Sequence, residues 1–197
     1  MQGRVRAWNA ALLCLALAAG YSARPSASAL FRLRNFYGFY RVTQEGSMRS
    51  LFHGRTMHGM QSTDPDWAGE PMCYYHRHSP VGEAFSEFGA GAHKVAVVGR
   101  GPGACAAFGR QGQRMDFYEI DPDLTDLARR YFSYLSRSLA RVSVVGGDAR
   151  LSLEKGGEPY EIMVLDAFAG GAVPLHLLTL EAFGVYEKRL APGGVVL

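Results

Sequence analysis

Acidic residues follow three apolar segments in the second half of the sequence, at the points where those segments end. Glu119 and Asp121 close the segment "RMDFYEID", Asp148 follows "RVSVVGG", and Asp166 follows "EIMVL". A carboxylate at the end of a strand can accept hydrogen bonds from ribose hydroxyls or from an adenine amino group, and one beside a reacting group can take up a proton. These residues indicate a nucleoside site, with Asp166 facing the reacting end of the ligand.

A glycine-rich turn lies ahead of these acids. In "VAVVGRGPGACAAFG" an apolar segment runs into Gly99, Gly101 and Gly103 and then into a predicted helix. Glycine allows the backbone to turn tightly and to approach a ligand closely. Because Glu119 follows Gly99 by about 20 residues, the spacing is typical of an adenosine-type ligand, either a nicotinamide dinucleotide or S-adenosylmethionine or a relative of it.

The elements that position these residues alternate between short apolar runs and helical segments. This alternation predicts a parallel sheet with crossover helices, and the carboxyl ends of its strands form the binding crevice. We predict helices over residues 103–110, 122–135 and 175–190, and strands at "KVAVVG", "RMDFYEI", "RVSVVG", "EIMVLDA" and the terminal "GVVL". Asp148 can also serve as the N-cap of a helix at "ARLSL", and the two roles are compatible.

The sequence before residue 89 has a different pattern. It is rich in aromatic residues and in short alternating runs broken by glycines, which predicts antiparallel β-hairpins. We assign the aromatic cluster "FYGFY" to the core of a hairpin. The predicted organisation is a leader over residues 1–29, a β subdomain over residues 30–88, and a Rossmann-like domain over residues 89–197.

Composition excludes several classes of protein. The 197 residues carry a net charge of +3 and no block of like charge, so nucleic-acid binding has little support. The three cysteines have no pairing or Cys-x-x-Cys spacing, and the six histidines lack the acid or cysteine that would complete a ligand set. We therefore expect neither a disulfide framework nor a metal site.

The first residues contain an apolar run over residues 7–21 that follows two arginines. This pattern is typical of a signal peptide, but it also fits an uncleaved anchor or the last part of a longer membrane region. S-adenosyl compounds are cytosolic, and an exported domain would lack its ligand. We therefore favour an anchor and expect the domain in the cytoplasm or at the cytoplasmic face of a membrane.

The motifs together resemble the spermidine synthase (polyamine aminopropyltransferase) family, especially its bacterial members that are fused to membrane segments. The segments that carry the resemblance occur in the family's order: "HGRTMHGMQ", "YYH", "VAVVGRGPG", "FYEIDP", "GDAR", "LDAFAGGAVPLHLLTLEAF" and "LAPGG". The resemblance implies a Rossmann-like S-adenosylmethionine-dependent methyltransferase fold with a small N-terminal β-hairpin subdomain. Since the family sheet has seven strands, the terminal "GVVL" would be the fifth, and we expect the chain to be a fragment with an exposed strand edge.

The resemblance also implies roles for individual residues. Glu119, with Asp121 at the same strand end, would hold the ribose, Asp166 would be the catalytic acid, and Tyr75 would lie beside the amine. The remaining nucleoside-binding residues would be Gln61, Gly99, Gly101, Gly103, Asp148 and Ala149. The implied co-substrate is decarboxylated S-adenosylmethionine, or S-adenosylmethionine itself, with an amine acceptor and no metal. The sequence is compatible with a homodimer and does not determine the oligomeric state.

Three acidic residues of the family are missing from this chain. The glycine loop of the family usually reads G-G-G-D-G, and this chain has Pro102 in place of the Asp. The motif after the fourth strand usually has a second Asp, whereas here Asp166 is followed by Ala167, Phe168 and Ala169. The tyrosine motif commonly continues into Glu, whereas here Tyr75 is followed by His76. We therefore expect inefficient use of putrescine as the acceptor.

Two other functions remain open on sequence grounds. The first is a methyltransferase that uses unmodified S-adenosylmethionine, although many such enzymes carry an acid where this chain has Val97. The second is a non-catalytic sensor that binds an S-adenosyl nucleoside. A nicotinamide oxidoreductase is disfavoured because the sequence offers no separate substrate domain.

Overall fold

The computed structural model describes residues 28–168 and 172–197, which form an antiparallel sheet packed against a parallel α/β sheet. The predicted leader and its apolar run over residues 7–21 lie outside the described residues. Within the described ranges, no helix is both long and apolar enough to cross a membrane.

Four consecutive strands form the antiparallel sheet: β1 (Ser28–Arg34), β2 (Phe39–Glu45), β3 (Met48–His53) and β4 (Thr56–Ser62). Two-residue turns join β2 to β3 and β3 to β4. Gly46 and Gly54 lie in these turns with φ of 55° and 58°, a conformation that glycine adopts without a steric penalty. The predicted β-hairpins are confirmed.

The aromatic cluster "FYGFY" lies at the turn between β1 and β2, and only part of it is buried. Tyr40 is 4% exposed, whereas Phe36 is 94% exposed and Tyr37 and Phe39 are partly exposed. The assignment of the whole cluster to a hairpin core is therefore wrong. The alternation of a strand turns only one side of β2 inward, and the preceding residues lie in the turn.

Five parallel strands form the second sheet in the order β7-β6-β5-β8-β9. Their bounds are β5 (Lys94–Val98), β6 (Arg114–Glu119), β7 (Arg141–Gly146), β8 (Tyr160–Leu165) and β9 (Leu190–Val196). This order and the flanking helices confirm the predicted Rossmann-like α/β fold of the methyltransferase type. The strand order reverses between β5 and β8, which is the topological switch point where such sheets bind ligands.

Within the described residues, five α-helices accompany the sheet: α1 (Pro80–Phe88), α2 (Pro122–Tyr131), α3 (Tyr134–Arg137), α4 (Ala149–Glu154) and α5 (Leu180–Arg189). The predicted helix over residues 103–110 is instead a short three-ten turn at Ala104–Phe108. The predicted helix over residues 122–135 divides because Phe132 is extended. The segment 175–190 begins with a turn at Leu175–Leu177, and Thr179 then caps α5 by accepting from the Ala182 N–H at 3.2 Å.

The last strand begins four residues earlier than predicted. It pairs with β8 from Leu190, and an irregularity in register accommodates the Pro-Gly-Gly segment that was expected to precede the strand. A bulge of this kind allows a residue without an N–H donor to lie within a ladder.

The parallel sheet is buried on both faces. Val95, Val97 and Phe117 face α1, where Phe85 stacks on Phe108 with ring centroids 4.8 Å apart. The opposite face packs against α4 and α5. The predicted domain boundary at residue 88 stays a prediction, and α1 itself packs on the parallel sheet.

A third apolar cluster joins the two sheets. Tyr40, Val42 and Leu51 of the antiparallel sheet pack against Leu124 and Leu127 of α2. Because α2 follows β6, this contact holds the antiparallel sheet beside the carboxyl ends of the parallel strands.

Candidate functional site

A cleft of about 800 Å³, including its open mouth, lies at the switch point between β5 and β8. Its floor comes from the parallel sheet and includes Gly99, Glu119, Asp148 and Asp166. Its opposite wall comes from the antiparallel sheet and its turns. Four of the residue positions predicted from strand ends thus share one cavity.

The glycine turn fits closely against the loop after β8. Gly99 has φ of 88°, and a Cβ atom there would overlap the carbonyl oxygen of Asp166. The backbone N–H of Asp166 donates to the Val98 carbonyl at 2.8 Å, which fixes the two segments together. Gly101 also lines the cleft, whereas Gly103 lies behind it, where a Cβ would overlap the side chain of Leu135.

Glu119 is held rigidly at the end of β6. One carboxylate oxygen accepts from the backbone N–H of Arg100 at 3.2 Å, and the other accepts from that of Asp121 at 2.9 Å. Burial raises the pKa of Glu119, and the two N–H donors oppose that rise. Each carboxylate oxygen keeps a second lone pair, so the group can accept from a pair of ribose hydroxyls.

Asp121 lies outside the cleft and holds the fold together. Its carboxylate caps α2 by accepting from the Asp123 N–H at 2.9 Å, and it accepts from Asn35 Nδ2 at 2.8 and 3.0 Å. Asn35 belongs to the turn between β1 and β2. This carboxylate therefore ties the antiparallel sheet to α2, and its ligand role has no geometric support here.

Asp148 and Ala149 both line the cleft at the end of β7. One oxygen of Asp148 caps α4 by accepting from the Leu151 N–H at 2.8 Å, and the other lies 2.9 Å from Nε2 of His176. Both roles considered for Asp148 are thus geometrically compatible. His176 was missed by sequence reasoning, since nothing in its spacing links it to Asp148.

The two predicted catalytic residues are in direct contact. The hydroxyl of Tyr75 donates to Oδ2 of Asp166, and Tyr75 is almost fully buried. Burial raises the pKa of Asp166 to about 7, while the donated hydroxyl favours the ionised form. A carboxyl group with this pKa exchanges protons near neutral pH, which suits a general acid or base.

An unusual backbone conformation places the tyrosines. Cys73 has φ of 58°, in the left-handed region that residues other than glycine rarely adopt. It begins the turn at Cys73–Tyr75, after which Tyr75 reaches Asp166 and the Tyr74 hydroxyl donates to the His58 carbonyl at 3.0 Å. Strained residues of this kind cluster at functional sites.

A second groove opens from the other side of Asp166. Its lining consists of Thr56, Met57, His58, Tyr74, Asp166 and Phe168. His58 and Phe168 also line the main cleft, so the two cavities meet at His58, Asp166 and Phe168. Burial, assisted by the nearby His53, lowers the pKa of His58 to about 4 and keeps its ring neutral.

Gln61 does not line the cleft. Its Nε2 donates to the Ala68 carbonyl at 2.7 Å and to Oγ of Ser133 at 3.0 Å, and its Oε1 accepts from the Ser133 N–H at 2.9 Å. The side chain thus joins β4 to the segment before α3. The geometry gives its predicted nucleoside contact no support.

Arg100 is a cleft residue that sequence reasoning passed over. Its guanidinium is almost fully buried, and Nη1 donates to the Thr125 carbonyl at 2.7 Å. Burial lowers the pKa of Arg100 to about 10. In the part of the chain that the structure describes, no three His, Cys, Asp or Glu side chains form a group that could hold a metal ion.

The sheet order, the glycine turn and the acids at the strand ends define a methyltransferase-type Rossmann-like fold with a candidate nucleoside site at its switch point. No family model matches the chain. The chain is 32% identical over 111 residues to the polyamine aminopropyltransferase of Vibrio vulnificus strain CMCP6. The aligned residues cover 53% of this chain and 36% of that relative.

A second curated relative is the probable polyamine aminopropyl transferase of Bifidobacterium longum strain NCC 2705. It is 26% identical over 166 residues, which cover 83% of the chain and 35% of the relative. Both relatives are thus named as polyamine aminopropyltransferases. The chain spans about a third of the length of these relatives.

Two solved structures show the same fold. Spermidine synthase from Thermotoga maritima superposes with a TM-score of 0.62 at 12% identity, covering 85% of this chain and 55% of that one. A spermidine synthase in complex with the transition state analogue AdoDATO gives a TM-score of 0.63 at 13% identity, covering 82% and 54%.

Proposed function

We propose that the protein transfers an aminopropyl group from decarboxylated S-adenosylmethionine to an amine acceptor. The observation that carries the proposal is the position of Asp166, where the nucleoside cleft meets a second groove. A group there touches both the reacting end of a nucleoside and an incoming acceptor. The names of the two curated relatives support the same reaction class.

The main cleft fits the nucleoside of such a donor. In the proposed arrangement, Gly99 and Gly101 provide the close backbone approach and Glu119 binds the ribose hydroxyls. Asp148 lies with Ala149 at the adenine end, where His176 restrains its second oxygen. The neighbouring spermidine synthase bound to AdoDATO adds support for the choice of donor.

The chemical task of the site is to provide a neutral amine in line with the donor. Alkylamines are protonated at neutral pH, so one proton must leave the nitrogen before it can attack. Asp166 is proposed to accept that proton, and a pKa of about 7 leaves a large ionised fraction at neutral pH. Tyr75 holds one oxygen of the carboxylate, which directs the other towards the acceptor.

Pro102 occupies the position of the family's loop Asp and does not line the cleft. It is buried against β4, where a Cβ on Gly59 would lie 2.7 Å from Cγ of Pro102. The aminopropyl ammonium of the donor therefore receives no carboxylate from this loop. This geometry supports the expectation that the enzyme departs from the usual spermidine synthase.

The test compares donors. Calorimetry with decarboxylated S-adenosylmethionine, S-adenosylmethionine and methylthioadenosine measures preference, and mass spectrometry with an added amine detects transfer. We expect preference for the decarboxylated form and an acceptor heavier by one aminopropyl group. Methylation by S-adenosylmethionine would instead establish a methyltransferase, and tight binding without any transfer would establish a sensor.

A further inference from the structure

The groove beyond Asp166 has the properties of an acceptor site, and its walls are informative about the acceptor. Met57, Tyr74 and Phe168 supply apolar and aromatic surface, and Thr56 supplies a hydroxyl. The space between these residues and Asp166 is about 600 Å³, including its opening to solvent. This volume admits an amine with a substantial body beyond its nitrogen.

Asp166 is the single acidic residue among the described residues that line this groove. The residues outside the described ranges, 1–27 and 169–171, contain neither Asp nor Glu. They therefore cannot add a carboxylate to the groove. One ammonium can pair with Asp166, and a second would lie against neutral walls.

The remaining polar groups of the groove do not replace a second acid. His58 is neutral, and its Nε2 has no hydrogen-bond partner within the described part of the chain. A neutral ring nitrogen can accept one hydrogen bond but supplies no negative charge. The rings of Tyr74 and Phe168 attract a cation more weakly than a carboxylate does.

We infer that the acceptor is an amine with a single cationic nitrogen and an apolar or aromatic body, rather than a diamine. The inference rests on the proposed function, because it assigns the acceptor class of the same site. In this arrangement the nitrogen pairs with Asp166 and the body lies against Met57, Tyr74 and Phe168.

The transfer step balances in charge and atoms. The acceptor enters as an ammonium, and the Asp166 carboxylate takes one of its protons, which leaves a neutral amine and a neutral carboxylic acid. The nitrogen lone pair then forms a bond to the aminopropyl carbon. The bond from that carbon to sulfur breaks, and its electron pair neutralises the sulfonium. The products are a secondary ammonium and methylthioadenosine.

The test uses two acceptors that differ by one ammonium group, n-butylamine and 1,4-diaminobutane, together with phenethylamine. The purified protein is supplied with decarboxylated S-adenosylmethionine, and kcat/KM is measured from released methylthioadenosine. We expect n-butylamine and phenethylamine to exceed 1,4-diaminobutane by at least about tenfold, because an unpaired charge beside apolar walls weakens binding. Calorimetry of the same amines with the methylthioadenosine-loaded protein gives a readout that does not need turnover.

A pair of variants tests whether the missing carboxylate causes the preference. Thr56→Asp adds an acid to the groove wall, and Thr56→Asn is its neutral control of the same shape. We expect only Thr56→Asp to shift the ratio of the two butyl amines towards the diamine, by about tenfold. An equal shift in both variants would show that charge is not the cause and would overturn the inference.

The outcomes separate the two proposals. Faster turnover and tighter binding of 1,4-diaminobutane would overturn the inference about the acceptor and leave aminopropyl transfer intact. If none of the tested amines supports release of methylthioadenosine, the proposed function is overturned for these acceptors. The calorimetric preference would then decide whether the groove selects a single cation.

Discussion

The carboxyl group of Asp166 is partly buried and accepts a hydrogen bond from the hydroxyl of Tyr75, which affects the pH dependence of activity. A hydrogen bond donated to the carboxylate favours the ionised form, and burial favours the protonated form. The balance of these two effects determines the fraction of Asp166 that is ionised, and therefore able to accept a proton, at neutral pH.

We predict that Tyr75→Phe raises the pH at which the enzyme reaches half of its maximal rate. The variant removes the donor to Asp166 while it keeps the ring in its buried position, so the ionised carboxylate loses stabilisation. Rates measured across the pH range check this. Tyr74→Phe is the control, since its hydroxyl donates to the His58 carbonyl instead. A Tyr75→Phe profile with the wild-type midpoint would contradict the prediction.

Asp166 also affects stability. Its pKa in the folded protein rises from 3.8 to about 7, so the folded state holds the proton more tightly than the unfolded chain. The contribution of this group to the free energy of unfolding is therefore largest at low pH and declines as the pH rises between these two values. Above neutral pH the ionised, buried carboxylate destabilises the fold.

We therefore expect Asp166→Asn to stabilise the protein at alkaline pH while it removes activity. The free energy of unfolding should increase by about 1 to 2 kcal/mol at pH 8 and change little near pH 3, where both side chains are neutral. Urea unfolding at the two pH values measures the difference. Equal changes at both pH values would show that ionisation is not the cause.

At the scale of the elements, the turn after β5 brings a conformational requirement and a steric one together at Gly99. Its positive φ alone disfavours a side chain, and its contact with the loop after β8 leaves no space for one. Gly112 has a similar φ of 85°, but a Cβ there would meet nothing within 4 Å. The two glycines thus separate the two requirements.

We predict that Gly99→Ala costs more stability than Gly112→Ala and also weakens binding of methylthioadenosine. Gly112→Ala should cost about 1 kcal/mol, the penalty for a side chain at positive φ. Gly99→Ala adds the overlap with Asp166, and we expect a loss of at least about 2 kcal/mol. Urea unfolding and calorimetry measure both effects. Equal costs would contradict the steric account.

The cap of α2 joins two elements. Asp121 accepts from the N-terminus of the helix and from Asn35 in the antiparallel sheet. Ser79 caps α1 by accepting from the Gly82 N–H at 3.2 Å, in a helix that packs on the parallel sheet. The two caps differ in what else they hold.

Asp121→Ala should therefore destabilise the protein more than Ser79→Ala does. Loss of a cap costs about 1 kcal/mol, and Asp121→Ala in addition removes both Asp121 oxygens as acceptors for Asn35 Nδ2, which keeps only Asp123 Oδ2 at 2.9 Å. We expect hydrogen exchange in β1 and β2 to accelerate in Asp121→Ala alone. Unchanged exchange in these strands would show that the contact does not hold the sheet.

At the scale of the whole molecule, the cleft needs both sheets. The parallel sheet supplies the glycine turn and the acids, and the antiparallel sheet supplies His53 and His58 on the opposite wall. The shared apolar cluster of Tyr40, Leu51 and Leu124 holds the two walls together. The site is therefore a property of the packed pair of sheets.

Much of this arrangement follows from the sequence, because strand ends in a parallel sheet meet at one edge. That rule brought Gly99, Glu119, Asp148 and Asp166 into one cavity. It could not distinguish Asp121, whose carboxylate is used by a helix cap two residues beyond Glu119. Whether a carboxylate already accepts hydrogen bonds from within the protein depends on tertiary structure, which the spacing of acids does not reveal.

Contacts between distant segments determine the roles of two residues, one that sequence reasoning missed and one that it named. His176 reaches Asp148 from a loop 28 residues away. Gln61 has the residue type of a ligand contact, but long-range hydrogen bonds to Ala68 and Ser133 occupy it. The contacts of both residues depend on how distant segments of the chain pack together. Neither secondary-structure propensity nor residue spacing predicts that packing.

The most direct test of the central claim is the release of methylthioadenosine from decarboxylated S-adenosylmethionine, measured against pH in the presence of an amine. We predict that the wild-type rate rises through a midpoint near the Asp166 pKa of about 7. Asp166→Asn should lower the rate by about 100-fold or more and remove that midpoint. If the variant keeps the wild-type rate and pH profile, Asp166 is not the group that accepts the proton.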